Sequence, residues 1–404
     1  MRSLPLLLLL AAAACASEPT AGTDADSDCA PGLERSALAT LECAASAGLL
    51  TPSQLDQAAE VLLRAEAAID SLEGPMGGAD DQYYRASWIR SALGNFAAFH
   101  VRGALTDSAR IARLVDVVAV NTGFATGGLP VAGERVFPSR TPHLTWVFYP
   151  SIGVYFQPVT TIENAIGIPF PDPAVATDTL LAIGNALWQY ATWRSGAAGA
   201  FPVWEYDFNF LSDVQKRAPW ISSLAQGEAL KLYVELYRRT GDAVQAERAH
   251  QVFRSFRTFW SDGGILVDDT THGYWWDEYD PRMWTWNGSM AALVAVGMYA
   301  ETFGGDAVGI AARGQDAARY WTPSFDTGEW TTYSLLAGYV TVAYQRWHTM
   351  LAGALHDQTG DPFWSETASR WAAYEPPPGL LQPPMLPNEA ARLPHIESLL
   401  DRAR

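Results

Sequence analysis

The stretch SSLAQGEALKLYVELYRRTGD, from Ser222 to Asp242, decides the fold. A long run with apolar residues at helical spacing ends in Thr-Gly-Asp, where the glycine can close one helix and the aspartate can cap the next. The pattern returns at Gly288 to Phe303 before Gly305-Asp306, and at Val340 to Gln358 before Gly360-Asp361. The helices that follow also rhyme, ending in Val252-Phe253, Arg319-Tyr320-Trp321 and Arg370-Trp371. A helical hairpin therefore recurs about every 55 to 65 residues, and such units stack to bury their shared faces. The linkers between hairpins are long and loaded with aromatic residues, as loops lining a central cleft would be. The expected fold is mainly α, an (α/α) helical toroid rather than an open solenoid, with its chemistry on the linkers.

Upstream, periodicity predicts helices over Pro52 to Leu72 and Tyr84 to Arg102, a third capped by Thr106 or Asp107 and running to about Asn121, and a fourth over Val175 to Arg194. Between 127 and 156 the glycines, prolines and a β-rich run predict a short β ribbon or extended loop. Met1 to Ala14 reads as a secretory leader, with Arg2 before the apolar run Leu4 to Leu10. Ala-Ala-Ala-Cys gives it the look of a lipoprotein signal, in which Cys15 is lipidated; plain secretion is the other reading. The expected organisation is a signal at 1–14, a lipid anchor and polar tether at 15–45, an N-terminal helical part of the toroid at 46–200, a C-terminal helical domain at 201–375, and a Pro-rich tail with a terminal helix at 376–404. With Cys15 lipidated, Cys29 and Cys43 remain as a pair in an oxidising compartment, and a disulfide between them is expected. Localisation is thus extracytoplasmic, with membrane contact only through the lipid.

The chain has 404 residues, about half of them apolar, enough for a sizeable core. Its net charge of −17 argues against nucleic acid, whose phosphates demand a basic face. No GxSxG, P-loop, GxGxxG or HExxH occurs, and the histidines are scattered. Esterase, nucleotide hydrolase and Rossmann readings have no anchor, and neither a metal site nor a cofactor is predicted.

Three stretches carry the chemistry: DEYD at Asp277 to Asp280, DTGEWTTYS at Asp326 to Ser334, and AYQRWH at Ala343 to His348. Each sets a Tyr near a carboxylate or His, the equipment for moving a proton on a sugar ring. Each also has a plainer reading. Three acids in a loop can be a solvated turn, Tyr333 a core aromatic, and Tyr344 with His348, one helical turn apart, interior packing.

In order along the chain, RAPWISSLAQGEAL (Arg217 to Leu230), DEYD, WTWNGSMAAL (Trp284 to Leu293), DTGEWTTYS and the Tyr344 to His348 spacing resemble the C-terminal helical domain of D-glucuronyl C5-epimerases, particularly the bacterial branch, over roughly Trp204 to Tyr374. The resemblance implies Glu278, Tyr279, Tyr333 and Tyr344 as catalytic residues. It departs at Leu336, where the animal enzymes carry an Arg thought to grip the substrate carboxylate, and in the mostly helical N-terminal half, where they carry a β-rich domain.

Inverting C5 of a uronate means removing a hydrogen α to a carboxylate and returning one from the opposite face, so two groups are needed across the ring. Glu278 and Tyr344 are the expected pair, with Tyr333 relaying and Tyr279 positioning. Arg217, Arg282 or Arg346 would replace the missing clamp. Trp220, Trp276 and Trp330 would stack on sugar, and Asn287 and His348 complete the binding set. The expected partner is an anionic polysaccharide or oligosaccharide such as a heparan sulfate-like glycan. Two rivals stay open: a glycoside hydrolase or lyase on a similar toroid, using carboxylates such as Asp207, Glu228, Glu278 and Asp326, and a non-catalytic glycan-binding surface lipoprotein.

Overall fold

The computed structural model of the chain describes residues 29, 36–73, 80–128, 133–167, 173–211, 215–277, 283–336, 338–377 and 380. The expected leader, Cys15 and the terminal helix lie outside them, as do Glu278, Tyr279 and Arg282.

Among the described residues four helices come first, α1 (Ala37–Ser46), α2 (Pro52–Glu73), α3 (Asp80–Val101) and α4 (Ser108–Thr126). A three-stranded antiparallel sheet follows, β1 (Arg135–Val136), β2 (Trp146–Tyr149) and β3 (Gly153–Phe156), inside the stretch where the sequence predicts a ribbon. Helices α5 (Pro158–Gly167) and α6 (Pro173–Tyr190) lead to a hairpin of β4 (Thr192–Gly196) and β5 (Gly199–Val203), then to a small ribbon of β6 (Phe210–Leu211) and β7 (Gln215–Lys216). Three helical hairpins complete the array: α7 (Ser223–Thr240) with α8 (Ala243–Phe253), α9 (Trp286–Phe303) with α10 (Ala307–Trp321), and α11 (Val342–Thr359) with α12 (Pro362–Ala372). A β8 (Leu266–Asp269) and β9 (Gly273–Trp276) ribbon lies between the first two hairpins.

The hairpin turns work as their residues dictate. Gly241 and Gly360 adopt φ of 66° and 68°, a left-handed conformation that a side chain resists, and Asp242 and Asp361 accept hydrogen bonds from the amides of Val244 and Phe363. Helices α7, α9 and α11 pack in a row, α5 continues the row beyond α7, and α8, α10 and α12 each pack on their own partner. The fold is mainly α, an array of stacked helical hairpins of the expected (α/α) kind. Helices α7 and α9 approach closely because Gly227 has no side chain: a Cβ there would lie 3.1 to 3.2 Å from the backbone of Ala291 and Ala292.

One apolar core runs from Ala37 to Trp371 and joins both halves. The N-terminal helices pack on each other and on the sheet, where the Asn121 side chain pairs with both the amide and the carbonyl of Val154 at 2.8 Å. Asp107 caps α4, accepting from the amide of Arg110 at 2.8 Å. Cys29 and Cys43 form a disulfide that ties residue 29 to α1. Among the described residues no helix is long and apolar enough to cross a membrane.

The helix expected to reach Arg194 ends at Tyr190 instead. Arg194 belongs to β4, where its guanidinium reaches the Gly263 carbonyl and the buried Glu205, each at 2.8 Å. Around Glu205 stand Arg110, at 2.6 Å, Arg194, Arg113 and the Thr192 hydroxyl. Burial alone would raise this carboxyl, but Arg110, Arg194 and Arg113 hold it down to about 2. Asp207, two residues on, is also buried, and its two oxygens have no hydrogen-bond partner among the described residues. Burial, reinforced by Glu205 and opposed by Arg113 and Arg110, pushes it up to about 6.

Candidate active site

Strand β9 seats Trp275 and Trp276 in the core, the latter with its indole N–H on the Phe256 carbonyl at 3.0 Å. Asp277 follows, fully buried, and its carboxylate accepts the amides of Trp284 at 2.7 Å and Thr285 at 3.2 Å. Those bonds close the chain across 278–282 and hold Trp284 at φ 47°, a left-handed conformation that is rare for a bulky residue and marks stored backbone strain. Asp277 is therefore a loop clamp. Beyond it, the Met283 carbonyl accepts from the Leu335 amide, Thr285 bridges Ser334, and the Trp286 amide donates to the Tyr333 carbonyl at 3.2 Å. Met283, Thr285 and Trp286 thus lie directly beside the Tyr333 segment.

The DTG block is a tight turn organised by Asp326. One oxygen accepts from the Gly328 amide at 2.9 Å and the Tyr374 hydroxyl at 2.6 Å, and the other accepts from Arg370 and the Trp371 indole, each at 2.8 Å. Against burial, these donors hold Asp326 below the usual carboxylate range. A carboxylate with four donors is a structural anchor, so the pairing of Asp326 as a hydrolytic acid or base loses its basis. Glu228 pairs with Lys231 at 2.6 Å.

Tyr333, at the end of this block, and Tyr344, in the first turn of α11, are both half-buried. Their rings meet edge to face, 5.7 Å apart at 78°, and Tyr344 also touches Trp347. One turn below Tyr344, His348 is fully buried between Trp286 and Trp371, with burial lowering it to about 3. Its Nδ1 lies 2.9 Å from the Thr331 hydroxyl, which lies 2.5 Å from Gln345 Oε1. Gln345 also takes the Thr331 amide at 3.1 Å and gives its own Nε2 to the Trp371 carbonyl.

The other candidates separate by burial. Arg217 and Arg346 are exposed. Trp220 is 7% exposed, its ring stacked 3.9 Å from Tyr206 and overhung by Lys216. Trp276 and Trp330 are 1% and 2% exposed, and Trp330 anchors its indole on the Val340 carbonyl. These three indoles are core members and present no open face for a sugar, since large aromatic surfaces gain most when buried. Asn287 is fully buried, with neither end of its amide partnered among the described residues. Thr331 and Gln345 went unnoticed in the sequence; no local pattern marks them, because their partners come from three separate elements. Leu336, at the position of the family Arg, is 64% exposed.

A family model described as D-glucuronyl C5-epimerase C-terminus matches residues 198–373, the span that holds all three hairpins and both site tyrosines. Residues 198–373 belong to the D-glucuronyl C5-epimerase C-terminal family. An uncharacterized protein of Methanocaldococcus jannaschii is similar to this epimerase-family segment, 26% identical over 178 residues, which are 42% of this chain and 57% of the relative. The match thus spans less than two thirds of that curated relative's length. Two solved structures share part of the shape. One is described as a sugar epimerase from a ruminal bacterium, 10% identical with a TM-score of 0.37, over 72% of this chain and 73% of that one. The other is a family 76 glycoside hydrolase from a bovine Bacteroides thetaiotaomicron strain, 12% identical with a TM-score of 0.37, over 77% and 67%. At that TM-score neither likeness bears on activity.

Proposed function

We propose that the protein is a carbohydrate epimerase that inverts C5 of glucuronate residues in a polysaccharide. The observation that carries this reading is the Tyr333–Tyr344 pair, half-buried and edge to face, with the Trp286 amide on the Tyr333 carbonyl, within the span matched by the family. Family membership supports a carbohydrate-active enzyme; inversion at C5 is the proposal. Glu278 takes the C5 proton on one face of the ring and Tyr344 returns one on the other, with the roles exchanged for the reverse reaction. Tyr333 relays or steadies the developing charge, and Tyr279 positions. Arg217, Arg282 or Arg346 is the proposed carboxylate clamp in place of the absent Arg. The substrate class is an anionic polymer bearing glucuronate.

Export completes the proposal, with the chain lipid-anchored through Cys15 or secreted. The Cys29–Cys43 disulfide supports an oxidising compartment.

The deciding experiment incubates the protein with an alternating glucuronate–N-acetylglucosamine polymer in deuterated water. Deuterium at C5 with chain length unchanged is the expected result. Chain cleavage points to a hydrolase, a new unsaturated uronate to a lyase, and binding with neither to a glycan-binding protein; each would overturn the epimerase reading.

A further inference from the structure

The hydrogen-bond chain beneath the two tyrosines has only one consistent direction. Gln345 donates its amide nitrogen to the Trp371 carbonyl, so the oxygen it turns toward Thr331 can only accept. The Thr331 hydroxyl, 2.5 Å from that oxygen, must donate to it. Having used its proton, the hydroxyl can only accept from His348 Nδ1, 2.9 Å away. His348 therefore carries its proton on Nδ1. Its Nε2 is left as a lone pair, buried and without a donor among the described residues. Burial, which holds the ring down to about 3, keeps it neutral across the working range.

This chain joins the two segments that carry the tyrosines. Thr331 is two residues before Tyr333, Gln345 is the residue after Tyr344, and His348 is one helical turn beyond it. We propose that His348 is a positioning residue, a neutral Nδ1-protonated imidazole that locks Thr331 and Gln345 into one network and so fixes Tyr333 and Tyr344 relative to each other. The network stands on its own geometry; its catalytic consequence rests on the epimerase reading. A misplacement of about 1 Å at reacting groups costs on the order of 100-fold in rate, so a lock of this kind bears on turnover more than on substrate affinity.

Two measurements test it. Long-range nitrogen–proton NMR of uniformly labelled wild-type protein should show His348 protonated at Nδ1, with no titration between pH 4.5 and 9. An Nε2–H tautomer, or a midpoint inside that range, would overturn the proposal whatever the enzyme does. Then C5 deuterium incorporation into the glucuronate–N-acetylglucosamine polymer is compared for Thr331→Val, His348→Gln and His348→Asn. Thr331→Val breaks the chain at its centre, and His348→Gln carries its amide past Thr331, so each should lower kcat by about ten-fold or more with KM within about two-fold. His348→Asn puts an N–H where Nδ1 stood and should recover most of the lost kcat. Unchanged kcat in Thr331→Val and His348→Gln, or a loss that His348→Asn does not relieve, reduces His348 to a packing residue. A wild-type protein that incorporates no deuterium defeats the epimerase reading, while the tautomer still decides the network.

Discussion

Glu205, at the junction of the N-terminal helices and the β4–β5 hairpin, and His348, in the third helical hairpin, are both buried polar groups, yet their surroundings are opposite. Three guanidiniums and a hydroxyl saturate Glu205, and each of its oxygens meets charge. Among the described residues His348 meets no ionised partner: a threonine, linked on to a glutamine, and two indole rings surround it, and one nitrogen is left over. A saturated ion cluster holds elements together but leaves nothing for a substrate or a proton. A neutral network with an unused acceptor holds geometry without imposing a field on the reacting groups beside it. Asp207 sharpens the contrast: it lies two residues after Glu205 in the segment following β5 yet has no donor among the described residues, and the two carboxyls are driven in opposite directions.

The largest effect is expected from breaking the charged cluster. Glu205→Gln leaves three arginines gathered around a neutral amide, and removing one partner of a buried ion pair costs about 3 to 5 kcal/mol. Urea denaturation at pH 7 would measure it, and a loss below about 1 kcal/mol would mean that solvent reaches the cluster.

Tyr344→Phe is the counterpart at the neutral site. Deleting one hydroxyl should lower C5 deuterium incorporation by on the order of 1000-fold if Tyr344 moves the proton. Stability should change by less than about 1 kcal/mol, because the ring that touches Tyr333 and Trp347 stays. A thermal melt alongside the exchange assay separates the two, and a large stability loss would make Tyr344 a core residue.

Asp207→Asn tests the opposed carboxyls through pH. Asp207 has its folded value raised from 3.8 to about 6, so the native state binds the extra proton between those values, and stability falls as pH rises through that window. Glu205 is lowered from 4.5 to about 2, so its contribution is complete above 4.5 and is lost as pH falls toward 2. His348, lowered from 6.5 to about 3, costs stability as pH falls between those values, and so acts against Asp207 from pH 4 to 6. The free-energy difference between Asp207→Asn and wild type should therefore shift in the variant's favour by about 2 to 3 kcal/mol from pH 4 to pH 7.5. A flat difference would mean that Asp207 is hydrated or paired.

Asp326 lies between the extremes, partly exposed with four donors and one cation. Asp326→Asn should cost about 1 to 2 kcal/mol, read as a modest drop in melting temperature. A drop as large as that of Glu205→Gln would show that this turn anchors the fold as strongly as the ion cluster does.

The helical hairpins were legible before any coordinates, because helical periodicity, a left-handed glycine and a capping aspartate are local signals, each carried by residues within a few positions of one another. Asp107 and the ribbon between 127 and 156 could be read in the same way. The β4–β5 and β8–β9 ribbons could not, since Arg194 continues a plausible helix until Glu205 and the Gly263 carbonyl draw it into a strand. Asp326 looks like a candidate acid in the sequence and Asp277 like one of three acids in a loop, and only their amide and indole donors reveal them as clamps. Trp220, Trp276 and Trp330 look like sugar platforms until burial removes their faces.

The order of hairpins and the residue types on their linkers follow from the chain alone, because periodicity, turn chemistry and blocks such as DTGEWTTYS are written within short windows. Tertiary structure decided what could not be local: that Tyr333 and Tyr344 meet edge to face, that Thr331, Gln345 and His348 form one directed chain beneath them, and that two carboxyls two residues apart sit on opposite sides of their ordinary range. A hydrogen bond's direction and a carboxyl's proton affinity depend on every neighbour at once, and those neighbours come together only when the chain folds.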